Sequence, residues 1–137
     1  MEVYNFIFYQ HTAEGEFVWL SYYQDSPEFG WQAPNANSVV SSDITQAVHV
    51  AADRMQSEVR SGSVKELLTK TMHSPGNTPE AVVHICEAEI SNLKLDAFLH
   101  EGIVYAPFPP ELAVNAIEFS VLREAIAKRY GFKQDAA

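Results

Sequence analysis

The sequence predicts an α+β domain in which a small, mainly antiparallel sheet is covered by about three helices. Two observations support this fold class. Aromatic and β-branched residues alternate in two runs near the N-terminus, which predicts a hairpin. Residues 43–60 (DITQAVHVAADRMQSEVR) then repeat apolar residues at helical spacing, which predicts an amphipathic helix that needs an apolar sheet face to cover. One or two later strands complete the predicted sheet.

The N-terminal hairpin is predicted over residues 3–10 and 17–23, with Gly15 in the connecting loop. Alternation directs Phe6 and Phe8 to one face of the first strand. We expect this face to meet the 43–60 helix. The opposite face is also partly apolar, so we expect a later element to cover it.

The loop over residues 24–42 is the least regular stretch of the chain. Structureless loops of this length are uncommon in compact domains and are usually functional or disordered. It carries Phe29 and Trp31 beside acidic residues, a composition typical of an interface anchor. The alternative is that Trp31 packs back onto the domain. Val39 and Val40 are predicted to add a short strand before the helix.

The 43–60 helix is predicted to begin at an Asp43 cap and to end near Gly62. A second helix is predicted from residue 63 to residue 72. Its evidence is an S-x-x-E capping box, formed by Ser63 and Glu66, that precedes an apolar face.

Residues 78–98 are compatible with two structures. Thr78-Pro79 resembles a helix start, whereas the β-branched run from Val82 favours a strand over about 81–90. The strand is favoured, followed by a short helical turn over 93–99 and a further strand over 103–108. The last helix is predicted from Pro110 to residue 130, with a possible break near Ser120.

Composition limits the class of protein. A chain of 137 residues predicts a single domain over 1–137, and its single cysteine excludes an internal disulfide framework. No apolar run reaches the roughly 18 residues that a membrane span requires. The N-terminus lacks the basic segment of a signal peptide. A cytoplasmic protein with no membrane partner is therefore expected.

Charge is distributed unevenly along the chain. Residues 1–53 hold seven acidic residues and no Lys or Arg, and they hold ten of the 16 aromatic residues. Direct binding of nucleic acid is disfavoured, because the required basic stripe is missing. This asymmetry favours a small interaction module, an inhibitor or adaptor whose partner is a protein with a basic surface. The residues predicted to contact that partner are Tyr22, Tyr23, Asp25, Glu28, Phe29 and Trp31.

No catalytic or metal site is predicted from residue spacing, and no cofactor is expected. His84 and Cys86 share one face of the predicted strand, but a zinc site needs three or four such ligands. Cys86 has no recognisable base partner for nucleophilic catalysis. Glu87 and Glu89 are close enough on a strand to separate their pKa values, as in a general acid, although a solvated strand face is the ordinary interpretation.

One family resemblance supports a rival, enzymatic hypothesis. The segment Phe8 to Thr12 resembles the strand-end Tyr-His-Gly-Thr of small ADP-ribosyltransferases, and Ser41 to Ala47 resembles the serine-plus-helix segment of such enzymes. The resemblance implies a nicotinamide dinucleotide substrate, with His11 on the first strand and a late-strand Glu handling it. Here Gln10 separates Tyr9 from His11, and no Gly follows His11.

Overall fold

The computed structural model describes residues 2–35, 43–72 and 81–132. These residues form eight strands and three helices, together with a 3-10 turn at Pro27–Phe29. The strands are β1 Glu2–Thr12, β2 Gly15–Tyr23, β3 Trp31–Gln32, β4 Glu58–Val59, β5 Lys65–Met72, β6 Ala81–Ser91, β7 Phe98–His100 and β8 Ile103–Phe108. The helices are α1 Ile44–Arg54, α2 Pro110–Ala116 and α3 Ser120–Tyr130.

The strands form one curled, mostly antiparallel sheet in the order β4-β6-β1-β2-β8-β7. β5 also pairs with β6, and β3 pairs with β2. The central pair β1 and β6 is parallel, in a register that places Phe6 beside Cys86. The α+β class agrees with the sequence prediction, but the sheet is larger than the one predicted, and the three helices are not the three that were predicted.

Helices cover both faces of the sheet. On one face, α1 buries Ala47, Val48, Ala51 and Ala52 against a cluster that includes Phe6, Phe8 and Trp19. On the other face, α2 and α3 pack on Ile7, Val18, Leu20 and Ile85. Alternation along β1 therefore supplies both cores, as the two apolar faces of this strand predicted.

Residues 31–35 lie between β1 and β2 where these two strands diverge. On one side Tyr22 pairs with Trp31; on the other the Phe6 amide donates to the Pro34 carbonyl at 2.9 Å. A bridge between Asn5 and Asn35 continues this contact. The segment opens the sheet at one end and places residue 35 beside the C-terminus of α1.

Two helix predictions were wrong. The predicted 43–60 helix ends at Arg54, because Gln56 adopts a left-handed φ of 58° and Ser57 caps the Ala52 carbonyl with both its amide and its hydroxyl. Gly62 is not its stop. Residues 65–72 form strand β5 rather than a second helix, and they pair with β6.

The capping box failed because Ser63 has other partners. Its hydroxyl donates to the Arg60 carbonyl at 2.7 Å and accepts from the Glu89 amide at 3.0 Å. The segment therefore starts a strand that is attached to β6.

The other element predictions were confirmed with one exception. β6 and β8 occupy the predicted strand positions, and the last helix divides into α2 and α3 before Ser120. Gly131 takes the left-handed conformation at the end of α3, with φ of 71°. Residues 93–97 form no helical turn, and residues 98–100 form β7. The predicted strand at Val39 and Val40 lies outside the described residues.

Within the described residues, none of the helices has the length and apolar character that crossing a membrane requires.

Candidate functional site

A cleft of about 620 Å³ opens on the α1 face of the sheet. Its walls come from the C-terminus of α1, the 3-10 turn, and the ends of β2, β7 and β8. The lining residues are Tyr23, Ser26, Phe29, Gln32, Asn35, Arg54, His100, Glu101, Ile103 and Tyr105. The size is typical of small-molecule sites.

Two tyrosines and an asparagine line the buried part of the cleft. Tyr105 is 3% exposed and Asn35 is 8% exposed. The Asn35 amide nitrogen lies 3.1 Å from the Tyr23 hydroxyl oxygen, to which it donates a hydrogen bond. The same nitrogen lies 3.4 Å from the Ala33 carbonyl. These bonds hold the wall in place, so the aromatic surface is preformed.

Arg54 supplies the cationic group of the cleft. It is the last residue of α1, and its Nη1 donates to the Asn35 carbonyl at 3.2 Å. This bond fixes the side chain beside the buried wall. A guanidinium in this position suits a phosphate or carboxylate group, which it can bind with two parallel hydrogen bonds.

The pKa of the Tyr105 hydroxyl is affected by charged side chains on two different walls of the cleft, Arg54 and Glu101. Burial, with a smaller contribution from Tyr23, raises the pKa of Tyr105 to about 12. Arg54 opposes this rise, whereas Glu101 adds to it. Tyr105 is therefore a neutral hydroxyl that lies within the fields of both side chains.

The rim of the cleft is the turn between β7 and β8. His100 and Glu101 both face the cleft, and their Nε2 and Oε1 atoms are 3.8 Å apart. The Gln24 amide donates to the Gly102 carbonyl at 3.1 Å, which attaches this turn to the end of β2.

A second cavity of about 360 Å³ lies beside the cleft and is mainly apolar. Its lining residues are Val3, Asn5, Phe29, Trp31, Gln32, Ala33, Val83, Phe119 and Leu122. It shares Phe29 of the 3-10 turn and Gln32 of β3 with the first cleft, so the two cavities adjoin at these residues.

The residues predicted to contact a protein partner lie in different environments. Tyr23 and Phe29 line the cleft, and Phe29 is 57% exposed. Trp31 packs back onto the domain, with its ring centroid 4.9 Å from that of Phe108 and 5.4 Å from that of Tyr22. Asp25 and Glu28 are exposed on the loop between Tyr23 and Phe29. The contact of these six residues with a basic protein stays a prediction.

The residues that were weighed for chemistry lie outside the cleft. Cys86 is buried, and burial raises the pKa of its thiol to about 12. Glu87 and Glu89 are each paired with an arginine, Arg129 and Arg60 respectively, so they do not form a carboxylate pair of the acid–base kind. Over residues 2–35, 43–72 and 81–132, no three His, Cys, Asp or Glu side chains are grouped closely enough to hold a metal ion.

Sequence reasoning missed Arg54, His100, Glu101 and Tyr105. They come from α1, β7, the β7–β8 turn and β8, and only the fold brings them together. One signal was present in the sequence. Arg54 is the first Lys or Arg of the chain, and it follows 53 residues that are rich in acidic and aromatic side chains.

Comparison with known proteins gives a likeness of structure at low sequence identity. A Listeria monocytogenes protein assigned to the NUDIX hydrolases aligns with a TM-score of 0.64 at 10% identity, over 98% of this chain and 99% of that chain. An Ap4A hydrolase of C. elegans in a binary complex aligns with a TM-score of 0.64 at 16% identity, over 96% of each chain. The NUDIX domain of Shewanella oneidensis NrtR complexed with ADP ribose aligns with a TM-score of 0.61 at 13% identity, over 95% of this chain and 88% of that one.

No family model and no curated protein matches the sequence.

These likenesses correct the functional interpretation of the sequence. The expected inhibitor or adaptor module was wrong, and so was the ADP-ribosyltransferase alternative, because the chain shares its fold with a NUDIX hydrolase, an Ap4A hydrolase and a NUDIX domain. The acidic, aromatic N-terminal half misled the prediction because its aromatic residues form a sheet core and a concave wall. The chain has a Nudix-like fold.

Proposed function

We propose that the protein is an enzyme that binds a phosphorylated adenosine compound in the Arg54 cleft and hydrolyses its phosphoanhydride bond. The observation that carries the proposal is the combination, in one preformed cleft, of aromatic rings and a guanidinium. The neighbours support the ligand class, since one of them is an Ap4A hydrolase and another is complexed with ADP ribose.

The aromatic side chains suit a nucleobase. Tyr23, Phe29 and Tyr105 all line the cleft, and stacking of a base on an aromatic ring contributes about 1–3 kcal/mol by alanine substitution. The buried hydroxyl of Tyr105 stays protonated, so it can donate a hydrogen bond to an oxygen of the ligand.

The cationic end of the cleft suits the phosphates. Arg54 is held by the Asn35 carbonyl, so little side-chain entropy is lost when it binds an anion. The chain as a whole has a net charge of −9 and therefore does not attract anions. The positive charge of Arg54 is the local feature that favours an anion in the cleft.

Hydrolysis needs a group that accepts a proton from the attacking water. His100 is the imidazole that lines the cleft, and histidine is the side chain that most often serves as a general base. Phosphoryl chemistry commonly uses divalent cations held by carboxylates. Glu101 is the one carboxylate among the residues that line this cleft, so these residues do not fit a metal centre held by the protein.

Isothermal titration calorimetry with ADP-ribose tests the binding step. We expect Arg54→Gln to weaken binding by about ten-fold or more, since a charge-assisted hydrogen bond contributes roughly 1.5–3 kcal/mol. Arg123→Gln is the matched control, because Arg123 is exposed on α3 at the other face of the sheet, and it should bind like the wild type. Circular dichroism of each variant checks that the fold is retained.

Chromatography of ADP-ribose and Ap4A incubated with the protein and Mg²⁺ tests the reaction. Release of mononucleotide by the wild type, reduced in His100→Ala, supports hydrolysis. Binding without release of product would remove the reaction from the proposal and leave a nucleotide-binding protein. Absence of binding by the wild type would overturn the whole proposal.

A further inference from the structure

The turn at the rim of the cleft has an unusual residue for its conformation. Glu101 and Gly102 form the two-residue loop of the β7–β8 hairpin, with φ values of 52° and 80°. Positive φ at both positions is the pattern of a type I′ turn, for which Asn, Asp and Gly are strongly preferred. A glutamate at the first position is strained, and such residues cluster at functional sites.

Glu101 places a carboxylate at the rim of the cleft. Its side chain lines the cleft and is 77% exposed, so a ligand in the cleft can reach it. Its charge makes a small contribution to the raised pKa of Tyr105, behind burial and Tyr23.

The cleft therefore has charges of opposite sign on separate walls. Arg54 is fixed on the α1 wall by the Asn35 carbonyl, and Glu101 lies on the β7–β8 wall. A carboxylate only accepts hydrogen bonds, and it repels a second phosphate. In dinucleotide sites an acidic side chain of this kind accepts bonds from ribose hydroxyls.

We propose that Glu101 selects the ligand by accepting hydrogen bonds from free ribose hydroxyls while Arg54 holds the phosphates. The substrate class is then a ribonucleotide with unmodified vicinal hydroxyls, and deoxy or phosphorylated ribose is rejected. This inference rests on the proposed function, because it assigns the sugar in the same cleft.

The position of the turn is fixed independently of the ligand. The Gln24 amide binds the Gly102 carbonyl, and His100 pairs with Ile103 at the base of the hairpin. The carboxylate is thus presented by a turn that is attached at both sides, which keeps the entropy cost of recognition low.

Calorimetric titration with ADP and with 2′,3′-dideoxy-ADP tests the inference. We expect the wild type to bind ADP about ten-fold more tightly than the dideoxy compound, as for a charge-assisted hydrogen bond. Glu101→Asn introduces a residue that suits the turn but has no carboxylate. This variant should bind the two compounds equally. Asp96→Asn removes an exposed carboxylate outside the cleft and should retain the discrimination.

The outcomes separate the inference from the proposed function. Equal binding of both compounds by the wild type would overturn the role of Glu101 and leave nucleotide binding intact. Discrimination that persists in Glu101→Asn would also overturn it, because another group would then contact the hydroxyls. Failure of the wild type to bind either compound would overturn the proposed function itself.

Discussion

His84 shows how the fold gives a role to a residue whose sequence neighbours reveal nothing. Its Nδ1 lies 2.5 Å from Glu66 Oε1, and its Nε2 is paired with Glu2. The ring stacks on Tyr4, with centroids 4.8 Å apart. The sequence placed His84 beside Cys86, but its true partners lie on β1 and β5, which only strand pairing brings near.

The pKa of His84 reflects two opposing effects. Burial of the ring disfavours the charged form, but hydrogen bonds to Glu66 and Glu2 outweigh burial and raise the pKa above its ordinary value of 6.5. The hydrogen bond from His84 and a smaller one from Thr69 hold the pKa of Glu66 below 4.5. A raised His pKa contributes stability that is present below pH 6.5 and is lost as the pH rises through the folded value. The lowered Glu66 pKa contributes stability above pH 4.5.

His84→Gln should therefore destabilise the protein more at pH 5.5 than at pH 8.5. The expected loss at pH 5.5 is up to about 1 kcal/mol, because both carboxylates are partly exposed and water screens the pair. Urea denaturation at the two pH values measures it. His49→Gln, an exposed change on α1, should have little effect at either pH. An equal loss at both pH values would mean that only packing on Tyr4 is involved.

Helix α1 begins as the sequence predicted, at a side-chain cap. The Asp43 carboxylate accepts a hydrogen bond from the Thr45 amide at 2.9 Å. Asp43→Ala should reduce the free energy of unfolding by about 0.5–2 kcal/mol. Asp53→Ala in the last turn of the same helix removes an equal charge where no cap exists, and it should be neutral or slightly stabilising. Thermal denaturation of both variants measures the difference, and equal melting temperatures would contradict the capping role.

The correct prediction of the start of α1 and the failure at β5 have one physical cause. The α1 pattern is complete within the helix, because its cap and its buried stripe are local in sequence. Strand β5 has mostly exposed side chains and a register shift between Glu66 and Leu68, so alternation is weak. Its structure is decided by pairing with β6, which local propensity does not contain. The capping-box motif at Ser63 was therefore a false signal.

The candidate site was predictable only in part for the same reason. Tyr23 and Phe29, which the sequence analysis assigned to a surface for a protein partner, line the cleft. Their concave arrangement depends on residues 31–35 entering between β1 and β2, and on the β7–β8 hairpin. Because these contacts are long-range, the local sequence does not reveal this arrangement.

At the scale of the whole molecule, Arg129 connects α3 to the sheet. Its Nη2 lies 3.2 Å from Glu16 Oε1 on β2, and its Nε lies 2.7 Å from Glu87 Oε2 on β6. The guanidinium carbon is 4.0 Å from the ring centroid of Tyr9 on β1. The Arg129 side chain thus contacts three strands and attaches α3 to the sheet.

The charged side chains of this cluster are largely buried, and their burial determines how removal of one of them changes the stability of the protein. The side chains of Arg129, Glu16 and Glu87 are 16%, 19% and 13% exposed. A buried ion pair adds little stability compared with apolar residues, but removal of one partner leaves an uncompensated buried charge. Here removal of the arginine leaves two carboxylates near each other.

Arg129→Leu should therefore reduce the free energy of unfolding by about 3–5 kcal/mol at pH 7. Adding Glu16→Gln and Glu87→Gln to the same variant should restore a large part of this loss, because the uncompensated charges are then absent. Urea denaturation of the single and triple variants at pH 7 measures both the loss and its restoration. Lys128→Leu is the control, because it removes the neighbouring exposed cation and should change stability by less than about 1 kcal/mol.

A triple variant as unstable as the single one would contradict this account. Arg129 would then act through its packing on Tyr9, and charge compensation between α3 and the sheet would not be what stabilises this end of the molecule.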